Sequence, residues 1–341
     1  MDPEPFPVET FFPRSLFDRI CKVRISQPEI VEARAKQRIR PSSLTQDSGN
    51  VVILAADHPA RGVTSAARDP FAMGDRQSYL GRIVRVLSSP FCDGILGTPD
   101  IIEDLLIVDH LMIETGIPSI LDNRILAGTM NRGGLVGACF EMDDTFTAYT
   151  ANQIVNAGLD AAKMMFRFDE QNPDSVRTLT ACARALDECV DLSIPVYLEA
   201  LPVEQNETGY RVIKTPEALI RTVGIASGIG KSSLYTWIKI PYCDRYDDVA
   251  RATSCPILML GGESSGDPAR IYQEFASGMT SAGNVRGALV GRNVHHPGVA
   301  DPAAVAAAVY GVVHEAATPD RAIETMSARH LENIGLLEGV G

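Results

Sequence analysis

Eight short apolar runs, spaced so that a helix fits between each and the next, constrain this chain more than any other feature. They are VVILAAD (51–57), DGILG (93–97), PSILDN (118–123), AAKMMFR (161–167), VYLEALP (196–202), TWIKIP (236–241), PILMLGG (256–262) and GALVGRN (287–293). Near-continuous apolarity over so few residues is what a parallel strand covered on both faces requires. Their starts lie 20 to 43 residues apart, room for one crossover helix each. Eight such units predict an α/β chain folded as a (β/α)8 TIM barrel, a fold that typically takes about 250 residues. A doubly wound sheet is the rival, but the first run leads into DHPARG where that fold would place G-x-G-x-x-G. Residues 1–50 stand apart, with a Pro-rich start, a short helix predicted over 13–23 and a basic amphipathic stretch over 29–40 that ends at Pro41. The reading is an N-terminal helical extension (1–50) packed on a barrel (51–341).

Charge and cysteine usage narrow the setting. Against 31 Lys and Arg stand 43 Asp and Glu, a formal charge of -12, which repels a phosphate backbone and argues against nucleic acid as partner. The 7 cysteines are scattered singly, without C-x-x-C, and are odd in number. That is unlike a disulfide framework and points to a reducing, cytoplasmic location. The start MDPEPFPVET has neither the basic end nor the apolar run of a signal peptide, and no uninterrupted apolar stretch is long enough for a membrane span. The one almost wholly apolar helix, PAAVAAAVYGVVHEA (302–316), reads as core or subunit contact. A homo-oligomer is the expected state.

Strand parity separates the charges. Side chains alternate faces along a strand, so if Ala162, Met164 and Phe166 lie under the helices, Lys163, Met165 and Arg167 face the lumen. By the same rule Tyr197, Glu199 and Leu201 point inward, as do Trp237 and Lys239, and Asp57 shares its face with Ile53 and Ala55. Four strands thus each carry an ionisable group near their carboxyl ends, where barrel enzymes place their chemistry. Buried charges must compensate one another or serve a reaction. A structural ion-pair cluster is the plainer interpretation; the coincidence of four favours a reactive site. A lysine near a second cation in a desolvated pocket is held toward its neutral amine, a nucleophile for carbonyls, and this is Schiff-base chemistry. Parity does not say which lysine reacts. Gly261-Gly262 ends the seventh run and Gly291-Arg292-Asn293 the eighth, the positions from which barrels of this kind cradle phosphate.

Other signals fall away. GIASGIGKSS (224–233) would need glycine at 225 to be a P-loop, but Ile225 stands there, and the segment reads as the end of a helix. His58 and the pair His295-His296 form no H-x-x-H or H-E-x-x-H array, so neither a metal nor a cofactor is expected, and the pair reads as a polar loop after the eighth strand. Asn206-Glu207-Thr208 spells a glycosylation sequon without meaning in a cytoplasmic protein.

At these residues a resemblance emerges. DAAKMMFRFDEQNP, IPVYLEALP, WIKIPY and LVGRNV, in that order, with LAADHPARG before them, resemble class I aldolases of the (β/α)8 superfamily. The likeness is closest to the tagatose-bisphosphate aldolase group and extends to archaeal-type fructose-bisphosphate aldolases. The resemblance implies that Lys239 forms the imine, that Lys163 and Glu199 assist proton transfer, that Asp57 is a further acid or base, and that Arg292 binds phosphate beside Gly261, Gly262 and Gly291. The implied activity is cleavage or formation of a C–C bond in a phosphorylated ketose or keto sugar acid; tagatose or fructose bisphosphate and a deoxy-keto-gluconate phosphate are candidates. A phosphate-binding isomerase or decarboxylase and a non-catalytic sugar-phosphate-binding regulator are the alternatives. The extension and the segment 121–145 match no pattern in that group.

Overall fold

The computed structural model describes residues 4–207 and 209–340; Met1–Pro3 of the Pro-rich start and Thr208 of the sequon lie outside them. Its strands are β1 (Val51–Ala56), β2 (Gly94–Gly97), β3 (Ile125–Thr129), β4 (Ala161–Phe168), β5 (Val196–Asn206), β6 (Gly209–Val212), β7 (Thr236–Pro241), β8 (Ile257–Leu260) and β9 (Val285–Val290). Around the sheet the order is β4-β3-β2-β1-β9-β8-β7-β5, and pairing of β4 with β5 closes it into a barrel of parallel strands. Strand β6 runs back antiparallel on the upper half of β5, a hairpin standing above the rim. The (β/α)8 barrel is therefore the fold.

Alternation does what the parity argument requires. Ala162, Met164 and Phe166 join the outer core between sheet and helices, whereas Ile53, Ala55, Ala127, Tyr197 and Leu258 fill the lumen. The helix after the last strand, Pro302–His314, is buried on nearly every side. Its N-cap Asp301 accepts two hydrogen bonds from Arg85 of the helix Arg76–Leu87, at 3.0 and 2.7 Å. This helix is core. Among the described residues no helix is long and apolar enough to cross a membrane, and all 7 cysteines are free thiols.

One strand lies elsewhere than expected. PSILDN is a loop, and the third strand is ILAGT, inside the segment that matched no pattern. Asp109, on the helix Pro99–Glu114, accepts from the Ile120 amide at 2.7 Å and the Ser119 hydroxyl at 2.9 Å, so this stretch spends its backbone on a side chain rather than a ladder. Asn123 then turns through a left-handed φ of 59°, which ends any extended run before Ile125 pairs with Gly94.

Of the preceding helices, α1 (Val8–Phe11) packs on the helix Arg76–Leu87, and α2 (Arg14–Ser26) and α3 (Glu29–Gln37) pack on the helix Pro99–Glu114. The basic stretch docks by charge: Arg34 pairs with Asp109 and Asp122, and Arg38 reaches Asp160 at 2.8 Å just ahead of β4. Asp160 also accepts from the Leu126 amide at 2.9 Å. The extension thereby braces the end opposite the predicted chemistry.

Candidate active site

The four inward charges meet. The Lys163 ammonium donates to Asp57 at 2.7 Å and lies 3.3 Å from Glu199, while Lys239 donates to the same Glu199 oxygen at 2.8 Å. Thr129 at the end of β3 adds a hydrogen bond to Asp57 at 3.3 Å. Register explains the convergence: Thr129 is level with Lys163 across β3 and β4, and Glu199 with Lys239 across β5 and β7. All four charged side chains are buried.

Two lysines with the same chemistry receive opposite fields. Burial favours the neutral amine in both. At Lys163 it is outweighed by Asp57 and Glu199, and the pKa is raised. At Lys239 burial prevails over Glu199, and the neighbouring Lys163 cation adds to it, so the pKa is lowered. The carboxylates show the reverse balance: burial, which would raise them, yields at Glu199 to Lys239 and Lys163, holding it down to about 2, and at Asp57 to Lys163. Position agrees with charge. Lys239 lines a cavity of about 750 Å³ at the carboxyl end of the strands, together with Asp57 and Glu199. Lys163 is absent from its lining and wholly buried beneath.

Gly261, Gly262, Gly291 and Arg292 line the same cavity. Gly262 needs its left-handed φ of 68°, and a Cβ on Gly291 would stand 2.5 Å from His58. Asn293 pins the loop by donating to the Gly261 carbonyl at 2.8 Å. Arg292 approaches only the exposed Glu263, at 3.8 Å, and its Nε has no partner among the described residues. A half-buried guanidinium with spare donors beside glycine amides is suited to an anion.

Arg61, the partners of Arg167 and the fold of the loop after β3 escaped the sequence. Arg61, in the loop after β1, lines the cavity without a carboxylate partner among the described residues, its Nε buried and unpaired. Arg167 stands beside it, held by the Gly133 carbonyl at 2.8 Å and Glu141 at 2.6 Å, under the ring of Tyr210. The loop after β3 folds over this side, with the Val136 amide donating to the Arg61 carbonyl at 3.0 Å. Parity had Arg167 facing the lumen, but nothing local marked its partners. The histidine pair, expected in a polar loop, instead forms the end of a helical turn, Arg292–His295, buried under the site. Among the described residues no three His, Cys, Asp or Glu side chains cluster so as to hold a metal ion.

This is a barrel of the kind found in Schiff-base aldolases. The chain belongs to the Cgl0159-like family, whose family model matches residues 49–311. It resembles the crystal structure of Cgl0159 from Corynebacterium glutamicum, with 35% identity over 90% of this chain and 99% of that one, at a TM-score of 0.83. An archaeal fructose-1,6-bisphosphate aldolase, whose catalytic lysine carries the carbinolamine of its substrate, is 18% identical over 83% of this chain and 99% of its own, at 0.55. A fructose-bisphosphate aldolase from Slackia heliotrinireducens is 12% identical over 89% and 92%, at 0.62. These two likenesses establish a shared fold. No curated protein matches the chain in sequence.

Proposed function

We propose that this protein is a class I aldolase that makes or breaks a C–C bond in a phosphorylated ketose or keto sugar acid through an imine on Lys239. The observation that carries the reading is one carboxylate shared by two lysines, of which only the one with the lowered pKa reaches the cavity. The neutral Lys239 amine adds to the ketone carbon, loss of water leaves an imine, and a proton taken up from solvent converts it to the iminium. A carboxylate, Glu199 or Asp57, takes the hydroxyl proton of the substrate. The C–C bond breaks with its electron pair flowing into the iminium, an aldehyde leaves, and the enamine is protonated at carbon before water releases the ketone and the amine. Lys163 keeps both carboxylates ionised and Lys239 neutral. Borohydride reduction with a panel of phosphorylated ketoses and keto acids, read by mass spectrometry, tests this: one substrate leaves a reduced adduct on Lys239. Turnover of a panel member with no adduct on any lysine would remove the imine.

The cavity walls support a substrate that is acidic at both ends. Arg292 and the glycines follow β8 and β9, while Arg167 belongs to β4 and Val136 and Gly137 to the loop after β3. In the closed order β9 lies four strands from β4, and β8 four from β3, so the two cationic walls face each other across the lysines. A substrate with an acidic group at each end spans them. Arg292→Ala removes a charge-assisted contact worth about 1.5–3 kcal/mol and weakens phosphorylated-substrate binding roughly 10–150-fold. Arg61→Ala weakens a doubly acidic substrate and leaves a singly phosphorylated one unchanged. Calorimetry on both variants checks this, and an Arg292→Ala protein that binds as tightly as the native one would place the phosphate elsewhere.

Because the iminium is the electron sink, no divalent ion is required. Exhaustive EDTA treatment should leave the rate unchanged. Activity lost to chelator and restored by zinc would contradict the Schiff-base reading.

A further inference from the structure

The reaction described above leaves one cation of the cavity unused. Strand β5 is buried over Val196–Val203, then runs on above the rim as Glu204–Asn206 and pairs back with β6. The returning chain is pinned on both sides of Lys214. The Ile213 amide donates to the Pro202 carbonyl at 2.9 Å, and the Thr215 hydroxyl caps the helix Pro216–Ser227 by accepting from the Ala218 amide at 3.3 Å. Pro216 opens that helix, which restricts the backbone further. Lys214 is thus presented from a fixed stem. The hairpin is also held at the opposite wall: the Tyr210 ring lies 5.6 Å from the Arg167 guanidinium, and its hydroxyl accepts from Asn172 at 2.8 Å. Tyr210 and Lys214 both line the cavity, so the hairpin contributes to both of its cationic ends.

The ammonium of Lys214 overhangs the glycine turn after β8. A Cβ built on Gly262 would meet Lys214 Nζ at 3.5 Å and no other atom of the described residues within 4 Å. Nζ therefore lies within about 5 Å of the Gly262 Cα, one C–C bond further on. Arg292 comes to the same turn from the loop after β9, 3.8 Å from the exposed Glu263. Lys214 makes neither an ion pair nor a hydrogen bond among the described residues. Two cations from different loops thus flank one glycine turn, and one of them has no carboxylate. A phosphate monoester carries a charge of about -1.5 to -2 at neutral pH, more than a single guanidinium balances.

The geometry points to Lys214 as the second cation of the phosphate site: the β5–β6 hairpin brings its ammonium over the anion held by Gly261, Gly262 and Arg292, and the pair of cations selects a dianionic phosphate. The assignment rests on the phosphate end proposed above and not on the imine. Lys214 acts on binding alone, since the reacting amine and its carboxylates lie deeper, buried in the lumen. No local pattern marks this lysine in YRVIKTPEAL. Its role follows from the length of β5, which lets the chain return above the rim before the next helix begins.

Calorimetric titration of the full chain with inorganic phosphate at low ionic strength tests it. Lys214→Ala should weaken phosphate binding about 5–20-fold, the lower part of what a charge-assisted contact gives, because the ammonium is exposed to solvent. Lys214→Gln, which keeps most of the stem and drops the charge, should do the same, and Lys214→Arg should retain most of the affinity. Lys231→Ala removes a cation that pairs with Asp191 outside the cavity lining and should change nothing. Native affinity in Lys214→Ala and Lys214→Gln, or an equal loss in Lys231→Ala, overturns the proposal. Borohydride trapping adds a second measurement. In Lys214→Ala the half-saturating concentration of dihydroxyacetone phosphate should rise by a similar factor, with the maximal trapping rate and the response to unphosphorylated dihydroxyacetone unchanged. A lower maximal rate at unchanged half-saturation would place Lys214 at the reacting carbon and overturn the assignment. If Arg292→Ala loses phosphate and Lys214→Ala does not, this inference fails and the phosphate end stands. If native protein binds phosphate in a Lys214-dependent way but traps no adduct, the imine fails and this inference stands.

Discussion

Lys239→Ala should abolish borohydride-dependent adduct formation and lower turnover on the order of 10⁴-fold or more, since removing the nucleophile removes the covalent route and not merely a contact. The structure supports this choice over Lys163 by access and by field. Lys239 lines the cavity, and its amine is the one that burial and a neighbouring cation push toward neutrality. Lys163 is held between Asp57 and Glu199, which keep it charged, and a protonated amine cannot attack a carbonyl. In the native protein the trapping rate should rise with pH through a midpoint below the ordinary lysine value of about 10.4. Peptide mapping that finds the reduced adduct on Lys163, with Lys239→Ala still trapping substrate, would exchange the two roles.

Lys163→Met should destabilise the fold by about 3–5 kcal/mol at neutral pH, because it removes the cation between two buried carboxylates and leaves both charges without it. The pH dependence separates this from simple loss of packing. In the native protein Glu199 is held down to about 2 and Asp57 is likewise depressed. Their contribution to stability is therefore present above the unfolded carboxylate range near pH 4 and is lost as pH falls through the folded values. Without Lys163 the Asp57 carboxyl loses the main group that holds it down and is raised by burial and by Glu199, which keeps Lys239 as its partner, so Asp57 binds its proton more tightly than in the native protein and the variant recovers part of the lost stability as pH falls toward 5. Urea denaturation of both proteins at pH 5 and pH 7 measures it. A stability difference independent of pH would show that Lys163 serves as packing alone. Trapping on Lys239 should persist in the variant but titrate at higher pH, since the cation that depresses its pKa is gone.

The site is divided between what periodicity records and what closure creates. A period of two along β4, β5 and β7 was enough to turn Lys163, Glu199 and Lys239 into one lumen, because pleating is a property of each strand by itself. The glycines and Arg292 after β8 and β9 were legible for a related reason: chain order in this fold sets which loops share a rim. The third strand was not, because PSILDN and ILAGT are both short and apolar. The choice between them falls to Asp109, which takes the Ile120 amide from another element.

What the sequence determined by itself was the barrel, through its strand spacing, and which face of each strand bears charge, through alternation. Only the tertiary structure decided which lysine meets the cavity, since register across β5 and β7 and the depth of Lys163 under Asp57 and Glu199 are products of ring closure. It alone brought Arg61 beside Arg167 and placed His58 against His295, residues far apart in the sequence. The physical reason is that alternation is a short-range consequence of backbone geometry. Electrostatic partnership depends on distances of a few ångströms, which exist only once the eight parallel strands have closed on one another.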